Sequence, residues 1–382
     1  MANPGTLPAN LTFTLRDRQG QPLATGRGTL PAGAHRAKFI HELRDIAPDF
    51  NLPPNFPTAT LYGSLEITSD ERVSVLGLRL TTNQRGETLL TSTAVADLTL
   101  PPTNAPVYFP QLADGGGYTT TVILTNPSAA TQAGTISIFD DAGNALSVRP
   151  VGGDIGSSFS YSIPAAGTFV FRTDGSPESV RVGWARVTPN SGSTAPAGAG
   201  VFSYSPGGML VTESGIPSTA PATRARIYID RSKGHDTGIA ISNPGSSAIA
   251  VTMQAYQTNG TSAGSGPAVI DLAPNGHRAA FAGQLISGLP DGFTGIADLT
   301  SSVPFAALTL RSLSNARGDF LLTTFPAPNL GAPAATPIVF PQIADGGGYT
   351  TEFIFISATG NATVSVNFVD GNGLPLFIGR TR

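Results

Sequence analysis

Alternating apolar and polar residues predict half-buried β-strands along most of the chain. The segment 11–16 reads Leu-Thr-Phe-Thr-Leu-Arg, and the segment 363–368 reads Thr-Val-Ser-Val-Asn-Phe. A period of two places successive side chains on opposite faces of a sheet. Two further segments place their small and apolar residues on one face: Leu61, Gly63, Leu65 and Ile67, and Phe293, Gly295, Ala297 and Leu299.

One twelve-residue phrase occurs twice. FPQLADGGGYTT covers residues 109–120, FPQIADGGGYTT covers 340–351, and an eroded version without the triple glycine covers 226–244. Four turn glycines follow one another at intervals of 123, 117 and 113 residues: Gly20, Gly143, Gly260 and Gly373. The period is therefore about 115 to 120 residues, the size of one sandwich domain.

Three stretches rich in proline and alanine mark the boundaries between units, since proline cannot donate to a strand ladder: LPPTNAPV, IPSTAPATRA and PAPNLGAPAATP. We predict β-sandwich repeats over 1–103, 104–220 and 221–334, with a partial repeat over 335–382. The first unit then lacks its initial strands and the fourth stops in mid-domain, which predicts part of a longer array. The alternative is that the fourth unit supplies strands to the open edge of another molecule.

The strand pattern and the turns together predict the fold class. About seven short strands per unit, separated by turns, indicate an all-β chain of tandem immunoglobulin-like antiparallel sandwiches. A helical spacing of i, i+4 interrupts the first and third units and predicts a short helix in each: Phe39 and Leu43, continued by Ile46 at i+7, and Phe281 and Leu285. The second unit has Gly175 and Pro177 at that place, which favours a loop.

Composition removes several classes of function. Charged residues make up 12% of the chain with a net charge of −3, so we expect no nucleic-acid partner. The absence of cysteine excludes disulfides, thiolate catalysis and cysteine-based metal sites. No apolar run approaches the roughly 18 residues of a membrane span, so we expect no membrane insertion. The N-terminal segment MANPGTLPAN lacks the features of a secretory signal.

Several phrases together resemble a tandem immunoglobulin-like repeat of secreted and cell-surface bacterial proteins. They are FPQxADGGGYTT, SSVPFAALTLRS and NARGDFLLTT, with the PAG segment that precedes the first predicted helix. The resemblance covers nearly the whole chain, although the second unit departs from it in the helix and in the NxRG segment. It implies an extracellular or cell-surface β-sandwich array without known catalysis, and it carries over no ligand-binding residue.

One segment matches the pattern that exposes a nucleophilic serine. Residues 260–264 read G-x-S-x-G around Ser262. The segment follows a strand, no amphipathic helix comes next, and the four histidines show no triad arrangement: His35, His41, His235 and His277. We therefore predict no catalytic residue and no enzyme.

Residues 317–319 spell Arg-Gly-Asp, the tripeptide through which some extracellular proteins engage integrins. The first unit has Arg-Gly-Glu at the matching place, residues 85–87. The preferred interpretation is a hairpin whose glycine takes positive φ.

Aspartates beside glycine turns are the candidate calcium ligands: Asp114, Asp140, Asp141, Asp345 and Asp370. Calcium takes six to eight oxygen ligands, usually with several carboxylates, and each local segment supplies only one or two. We therefore interpret these residues as turn formers and predict no metal site and no cofactor.

Trp184, the only tryptophan, is the one weak candidate for ligand binding. By register it shares its face with Ser64 and Ile296, away from the apolar face of the equivalent strands. An exposed ring there could stack on a sugar. The alternative is a ring packed beneath a loop or against a neighbouring unit, because tryptophan buries a large area.

Three functions fit these observations to different degrees. The favoured one is a noncatalytic extracellular spacer or surface-display array. The second is an adhesion or carbohydrate-binding array that acts by avidity, with polysaccharide or another surface protein as partner. The third, an enzyme, needs a polar cluster with perturbed ionisation in a pocket, and the sequence shows none.

Overall fold

The computed structural model describes residues 1–58, 62–332, 337–358 and 360–377, and its regular structure is almost entirely antiparallel β. The chain is therefore all-β, as the period-two pattern predicts. Three clusters of buried apolar residues lie in the first, second and third units, and the cluster of the second unit also includes Leu308 of the third. The predicted boundary between residues 334 and 335, like Leu61, lies outside the described residues.

The described residues of the first unit form five strands: β1 (Ala9–Asp17), β2 (Pro22–Leu30), β3 (Gly63–Ser69), β4 (Gly77–Thr82) and β5 (Thr88–Thr93). The alternating segment 11–16 lies in β1, and its apolar residues Leu11, Phe13 and Leu15 are buried. The sheet order is β2-β1-β3, with β3 at one edge, and β4 pairs with β5 as a separate hairpin.

Eight strands form in the second unit: β6 (Val107–Asp114), β7 (Tyr118–Thr125), β8 (Gln132–Phe139), β9 (Ser158–Ile163), β10 (Thr168–Arg172), β11 (Arg181–Pro189), β12 (Ala197–Tyr204) and β13 (Thr212–Pro217). They make two four-stranded sheets, ordered β6-β11-β8-β9 and β10-β7-β12-β13. One apolar cluster takes residues from both sheets, as in a β-sandwich.

In the third unit, seven strands lie within residues 221–332, the part that the structure describes: β14 (Ala222–Asp230), β15 (His235–Ser242), β16 (Ile249–Gln257), β17 (Ser262–Leu272), β18 (His277–Phe281), β19 (Thr294–Ser314) and β20 (Phe320–Pro326). The first part of β19 pairs with β14 and β16, and its second part pairs with β15 and β20. This one long strand therefore takes the places of both β11 and β12, and the pairing order is otherwise that of the second unit.

The strand order of these two units differs from that of an immunoglobulin constant domain. Counted within the second unit, the first strand pairs with the sixth, and the second lies between the fifth and the seventh. In the constant-type order the first strand lies in the sheet of the second, and the seventh in the sheet of the sixth. The sandwich class agrees with the sequence prediction, whereas the first, fourth and seventh strands each lie in the other sheet.

Both predicted short helices are present. A 3-10 helix covers Ile40–Asp45, and helix α1 covers Ala282–Leu285. Each follows a phenylalanine whose backbone N–H donates to a side chain in the first turn, Phe39 to Glu42 and Phe281 to Gln284, both at 2.9 Å. The second unit has irregular backbone at that place, as predicted, and its own 3-10 turn covers Pro206–Gly208. None of the described helices has the length and hydrophobicity needed to cross a membrane.

The fourth stretch departs from the sequence prediction. Its described residues, 337–358 and 360–377, contain two isolated bridges and no strand, although 363–368 alternates as β1 does. Val364 and Val366 are 48% and 43% exposed. An alternating segment becomes a strand only where a neighbour takes its backbone hydrogen bonds and covers its apolar face, and no described strand lies beside this one.

Candidate functional site

The units meet through one type of contact that occurs three times. A docking turn, at residues 17–20, 140–143 and 370–373, lies against a receiving turn, at residues 164–168, 273–277 and 31–35 respectively. The first two of these contacts, which we call joints, connect the first unit to the second and the second to the third. The third joint places the fourth stretch against the first unit.

Each joint contains the same backbone hydrogen bond. The N–H of the last residue of the receiving turn donates to the carbonyl of the second residue of the docking turn: Thr168 to Arg18 at 3.0 Å, His277 to Asp141 at 3.1 Å, and His35 to Gly371 at 3.3 Å. Because this bond uses main-chain atoms, it tolerates three different pairs of side chains.

The last residue of every docking turn is a glycine, for two reasons. Its φ is positive in each case: +79° at Gly20, +86° at Gly143 and +81° at Gly373. A Cβ added at any of them would lie closer than 3.0 Å to backbone of the receiving turn. A larger residue would therefore be strained and would also hold the two turns apart.

A fourth turn has the same shape without a partner. Residues 257–260 close with a hydrogen bond from the N–H of Gly260 to the carbonyl of Gln257 at 2.9 Å, and the φ of Gly260 is +85°. In the described part of the chain, nothing lies within 4 Å of a Cβ built at Gly260.

Side chains strengthen the joint between the second and third units. The ring nitrogen Nδ1 of His277 lies 2.8 Å from Asp141 Oδ1, and the His277 side chain is fully buried. The indole Nε1 of Trp184 donates to the carbonyl oxygen of Asn275 at 2.7 Å, and Arg186 donates to the Asn275 side chain at 3.2 Å. Trp184 and Arg186, both on β11, thus bind the receiving turn through hydrogen bonds to Asn275.

Trp184 is completely buried, so the exposed ring that sugar stacking requires is not what the structure contains. Phe139 stacks on the indole with ring centroids 5.0 Å apart, and Arg186 lies 5.9 Å from its centroid. The register placed Trp184 correctly on the outer face of β11, but the neighbouring unit covers that face. The alternative interpretation, packing against a neighbouring unit, describes its position, and a ligand could reach the ring only if this joint opened.

An ion pair between an exposed arginine and a buried glutamate joins the first unit to the second. Arg79 donates from Nε and Nη2 to the carboxylate of Glu213 at 3.1 and 3.2 Å, and the hydroxyls of Thr81 and Ser203 donate to the same carboxylate. Burial alone would raise the pKa of Glu213, but these hydrogen bonds outweigh it and the pKa is lowered. A cavity of about 70 Å³ beside it is far below the roughly 300 Å³ of a small-molecule site.

The Arg-Gly-Asp segment forms the predicted hairpin turn, with φ of +81° at Gly318. Its aspartate is held by Arg85 of the first unit, with Nη1 and Nη2 at 2.9 and 3.2 Å from the two Asp319 oxygens. Arg317 bonds Glu87 of the first unit and also Asp319 itself. The Arg317 guanidinium and the Asp319 carboxylate therefore bind the hairpin at residues 85–87 of the same chain and do not project away from each other into solvent.

Acid should weaken this contact between hairpins. Hydrogen bonds from Arg85 and then Asn315 lower the pKa of Asp319 from 3.8 to about 2. A lowered pKa stabilises the folded state above the unfolded pKa, and this contribution disappears as the pH falls from about 4 through 2. We expect Asp319→Asn to lower Tm by about 1–2 °C at pH 7, as for other exposed ion pairs.

The measurement is Tm against pH for wild type and variant, whose curves should converge near pH 2. Asp345→Asn, a change at an exposed aspartate, is the control and should leave the curve unchanged. A constant difference between wild type and Asp319→Asn down to pH 2 would contradict the ion pair.

The other aspartates act as turn formers or joint residues. Asp140 accepts a hydrogen bond from the N–H of Asn144 at 2.8 Å, and Asp370 accepts from Asn372 and Leu374 at 2.8 and 2.9 Å. Asp345 is exposed. Among the described residues, no three His, Asp or Glu side chains are grouped closely enough to hold a metal ion.

Asp114 differs because its carboxyl group is buried. It closes β6, accepts a hydrogen bond from the N–H of Gly175 at 3.1 Å, and has a pKa raised by burial. The three following glycines, residues 115–117, all have positive φ and lie against backbone of residues 177–180 and 205–206. The first copy of the twelve-residue phrase, residues 109–120, is therefore a hairpin packed inside its unit.

Ser262 lies in a hairpin and not on a turn between strand and helix. It is exposed, begins β17 and pairs with Tyr256 on β16. Across the described ranges, no hydrogen bond connects it to a histidine: His235 contacts Ser312, His277 contacts Asp141, His35 contacts Gln342 and His41 stacks on Phe39.

The joint residues were missed as a site. The docking-turn glycines were recognised only as markers of the period, and the receiving turns were not connected with them. A signal was available, because a proline followed by a glycine recurs in each receiving turn: Pro31 and Gly33, Pro164 and Gly167, and Pro274 and Gly276.

Protein-family models, curated proteins and solved structures were all searched, and none of them matches it. The joints and the hairpin contacts are therefore the basis on which a function is inferred.

Proposed function

We propose that the chain is a noncatalytic structural array, an extracellular spacer or display stalk built from tandem β-sandwich repeats of bacterial secreted proteins. The repeated joint is the observation that carries this proposal. Three pairs of turns meet through the same main-chain hydrogen bond, with a glycine at the point of closest approach in each. Contacts of this kind set the spacing and orientation of neighbouring units, which is what a spacer requires.

The use of charged side chains supports the same function. Arg79, Arg85 and Arg317 each bond a carboxylate of a neighbouring unit. Charges that are paired within the chain hold units together, whereas a binding face for a charged ligand needs unpaired ones. The extracellular location and the immunoglobulin-like family belong to the proposal and derive from the resemblance of the sequence phrases.

The test is binding of the folded 382-residue chain to polysaccharides, cell-wall fragments and extracellular proteins, with and without calcium. We expect no saturable binding to any class, and far-ultraviolet circular dichroism of the same sample would establish that it is folded. Saturable binding to one class would replace the spacer with an adhesion or carbohydrate-binding array, and calcium dependence would identify the aspartate turns as sites.

A further inference from the structure

We propose that the small cavity between the first and second units binds one tetrahedral oxyanion, a phosphate or sulfate group that is either free or carried on a larger molecule. This goes beyond the spacer function, since it assigns a ligand to the contact between two units. The proposal rests on three observations: the position and size of the cavity, the net positive charge of its lining, and hydrogen-bond donors around it that have no acceptor in the described part of the chain.

The cavity lies where Arg79 of the first unit meets the outer face of the sheet β10-β7-β12-β13 of the second. Strand pairing brings its other polar residues together: Arg172 on β10 pairs with Thr121 on β7, and Ser203 on β12 pairs with Glu213 on β13. Since alternate residues of a strand share one face, these side chains lie on the face opposite the apolar cluster of the unit.

The size of the cavity suits a small ion. Its volume is about 70 Å³. A single buried water molecule needs about 10–15 Å³, and drug-sized ligands need roughly 300 Å³ or more, so a group of several heavy atoms fits between these limits. Ser203 and Glu213 line its buried side, whereas Arg79 and Arg172 are exposed, so an ion can reach the cavity from solvent.

Glu213 does not neutralise all the positive charge of the lining. Its Oε1 accepts hydrogen bonds from Arg79 Nη2 and the Ser203 hydroxyl, and its Oε2 accepts from Arg79 Nε and the Thr81 hydroxyl. A carboxylate has about four acceptor positions, so Glu213 is fully satisfied by these donors. Two arginines and one glutamate line the cavity, which leaves it with a net charge of +1, carried by Arg172.

Several donors around the cavity lack an acceptor. The Arg172 guanidinium, the Nη1 of Arg79 and the Thr121 hydroxyl make no hydrogen bond or ion pair with any described residue. A guanidinium presents a planar fork of N–H donors that matches the oxygens of a phosphate group. Positive charge together with donors that lack acceptors selects an anion with several acceptor atoms.

The free donors are specific to the second unit. At the equivalent strand pair of the third unit, Phe281 on β18 pairs with Gly238 on β15, in the places of Arg172 and Thr121. The pairing of these strands therefore requires neither an arginine nor a threonine. Both residues can be replaced in a test without loss of the sheet.

Thermal unfolding of the full chain against the concentration of potassium phosphate tests the site, with KCl keeping the ionic strength constant. Phosphate that binds the folded chain raises Tm in a saturable way. Exclusion of phosphate from protein surfaces also raises Tm, but without saturation and equally in every variant.

We expect Arg172→Gln to weaken the saturable affinity for phosphate about tenfold or more, because it removes charge-assisted hydrogen bonds. Thr121→Val should weaken it by a smaller factor. The matched control is Arg27→Gln, which removes the same charge from an exposed arginine on β2 that does not line the cavity, and it should behave as wild type.

Sulfate and glucose 6-phosphate identify the source of the oxyanion. Saturation by glucose 6-phosphate means that the group is accepted on a larger molecule, and saturation by the inorganic ions alone means that the ligand is a free ion. Either result supports the site only if Arg172→Gln or, where that variant fails to fold by circular dichroism, Thr121→Val weakens it. A Tm that rises equally and without saturation in wild type and these variants overturns the proposal.

Discussion

Replacing Gly143 by alanine is expected to open the joint between the second and third units and to expose Trp184. A Cβ at this position would lie closer than 3.0 Å to the carbonyl oxygen of Pro274, so the two turns must move apart. Overpacking of this kind costs about 1–3 kcal/mol. Alanine at φ of +86° adds about 1 kcal/mol.

The joint should open before either unit loses its folded structure. Neither Gly143 nor the receiving turn 273–277 belongs to the apolar clusters of the two units. The least costly response is therefore separation of the turns, with loss of the His277–Asp141 contact and of the bond from Trp184 to Asn275. Both sandwiches should keep their secondary structure.

Tryptophan fluorescence measures this opening directly, because Trp184 is the only tryptophan and its indole is bonded to the receiving turn. We expect Gly143→Ala to shift the emission to longer wavelength and to increase quenching by acrylamide. Amide hydrogen exchange at His277 should accelerate as its bond to Asp141 is lost.

Gly260→Ala is a matched control. Gly260 has nearly the same φ, +85°, in a turn of the same shape, but nothing lies within 4 Å of its added Cβ. Gly260→Ala should therefore have only the energetic cost of alanine at positive φ, and it should leave the emission of Trp184 unchanged. Equal emission shifts from the two variants would show that the contact at residue 143 does not hold the units together.

Local patterns predicted the parts of the fold that depend on local chemistry. The alternation of 11–16 and the i, i+4 spacing after Phe39 each depend on a few adjacent residues, and both elements are present. The alternation at 363–368 is equally clear, but no strand forms there. A strand needs a neighbouring strand, and the sequence of the segment itself does not show whether one is present.

Local sequence patterns could not predict the contacts between units. The register of Trp184 on β11 follows from the repeat, but its burial depends on a turn about 90 residues away, at Asn275. Similarly, the Arg-Gly-Asp hairpin was recognised as a turn, whereas its ion pair with Arg85 joins residues 234 positions apart. Each of these contacts depends on how sandwiches are placed side by side.

The strand order shows the same limit at the level of one unit. Turn spacing and composition indicated antiparallel sandwiches, and the sheets agree. The pairing of the first strand with the sixth, and the continuous β19, were not predictable, because a period-two pattern shows which face is buried but not which strand lies beside it.

The twelve-residue phrase provides the sharpest comparison, because the same substitution can be made in a packed copy and in an open one. Gly115→Ala would place a Cβ 2.6 Å from the carbonyl oxygen of Ser179 and 2.7 Å from Pro177, at φ of +87°. Gly346→Ala changes the matching glycine, at φ of +89°, where nothing lies within 4 Å.

We expect Gly115→Ala to lower the free energy of unfolding of the second unit by about 2–4 kcal/mol, the sum of the steric and conformational costs. Gly346→Ala should cost about 1 kcal/mol or less. Urea unfolding monitored by Trp184 reports on the second unit, and circular dichroism reports on the whole chain.

The two variants separate the cost of packing from the cost of backbone conformation. Gly115 and Gly346 have nearly the same φ, but only Gly115 lies against backbone of its own unit, so the difference between the two variants measures that packing. Equal loss of stability from the two variants would mean that the phrase is a turn with no packing role.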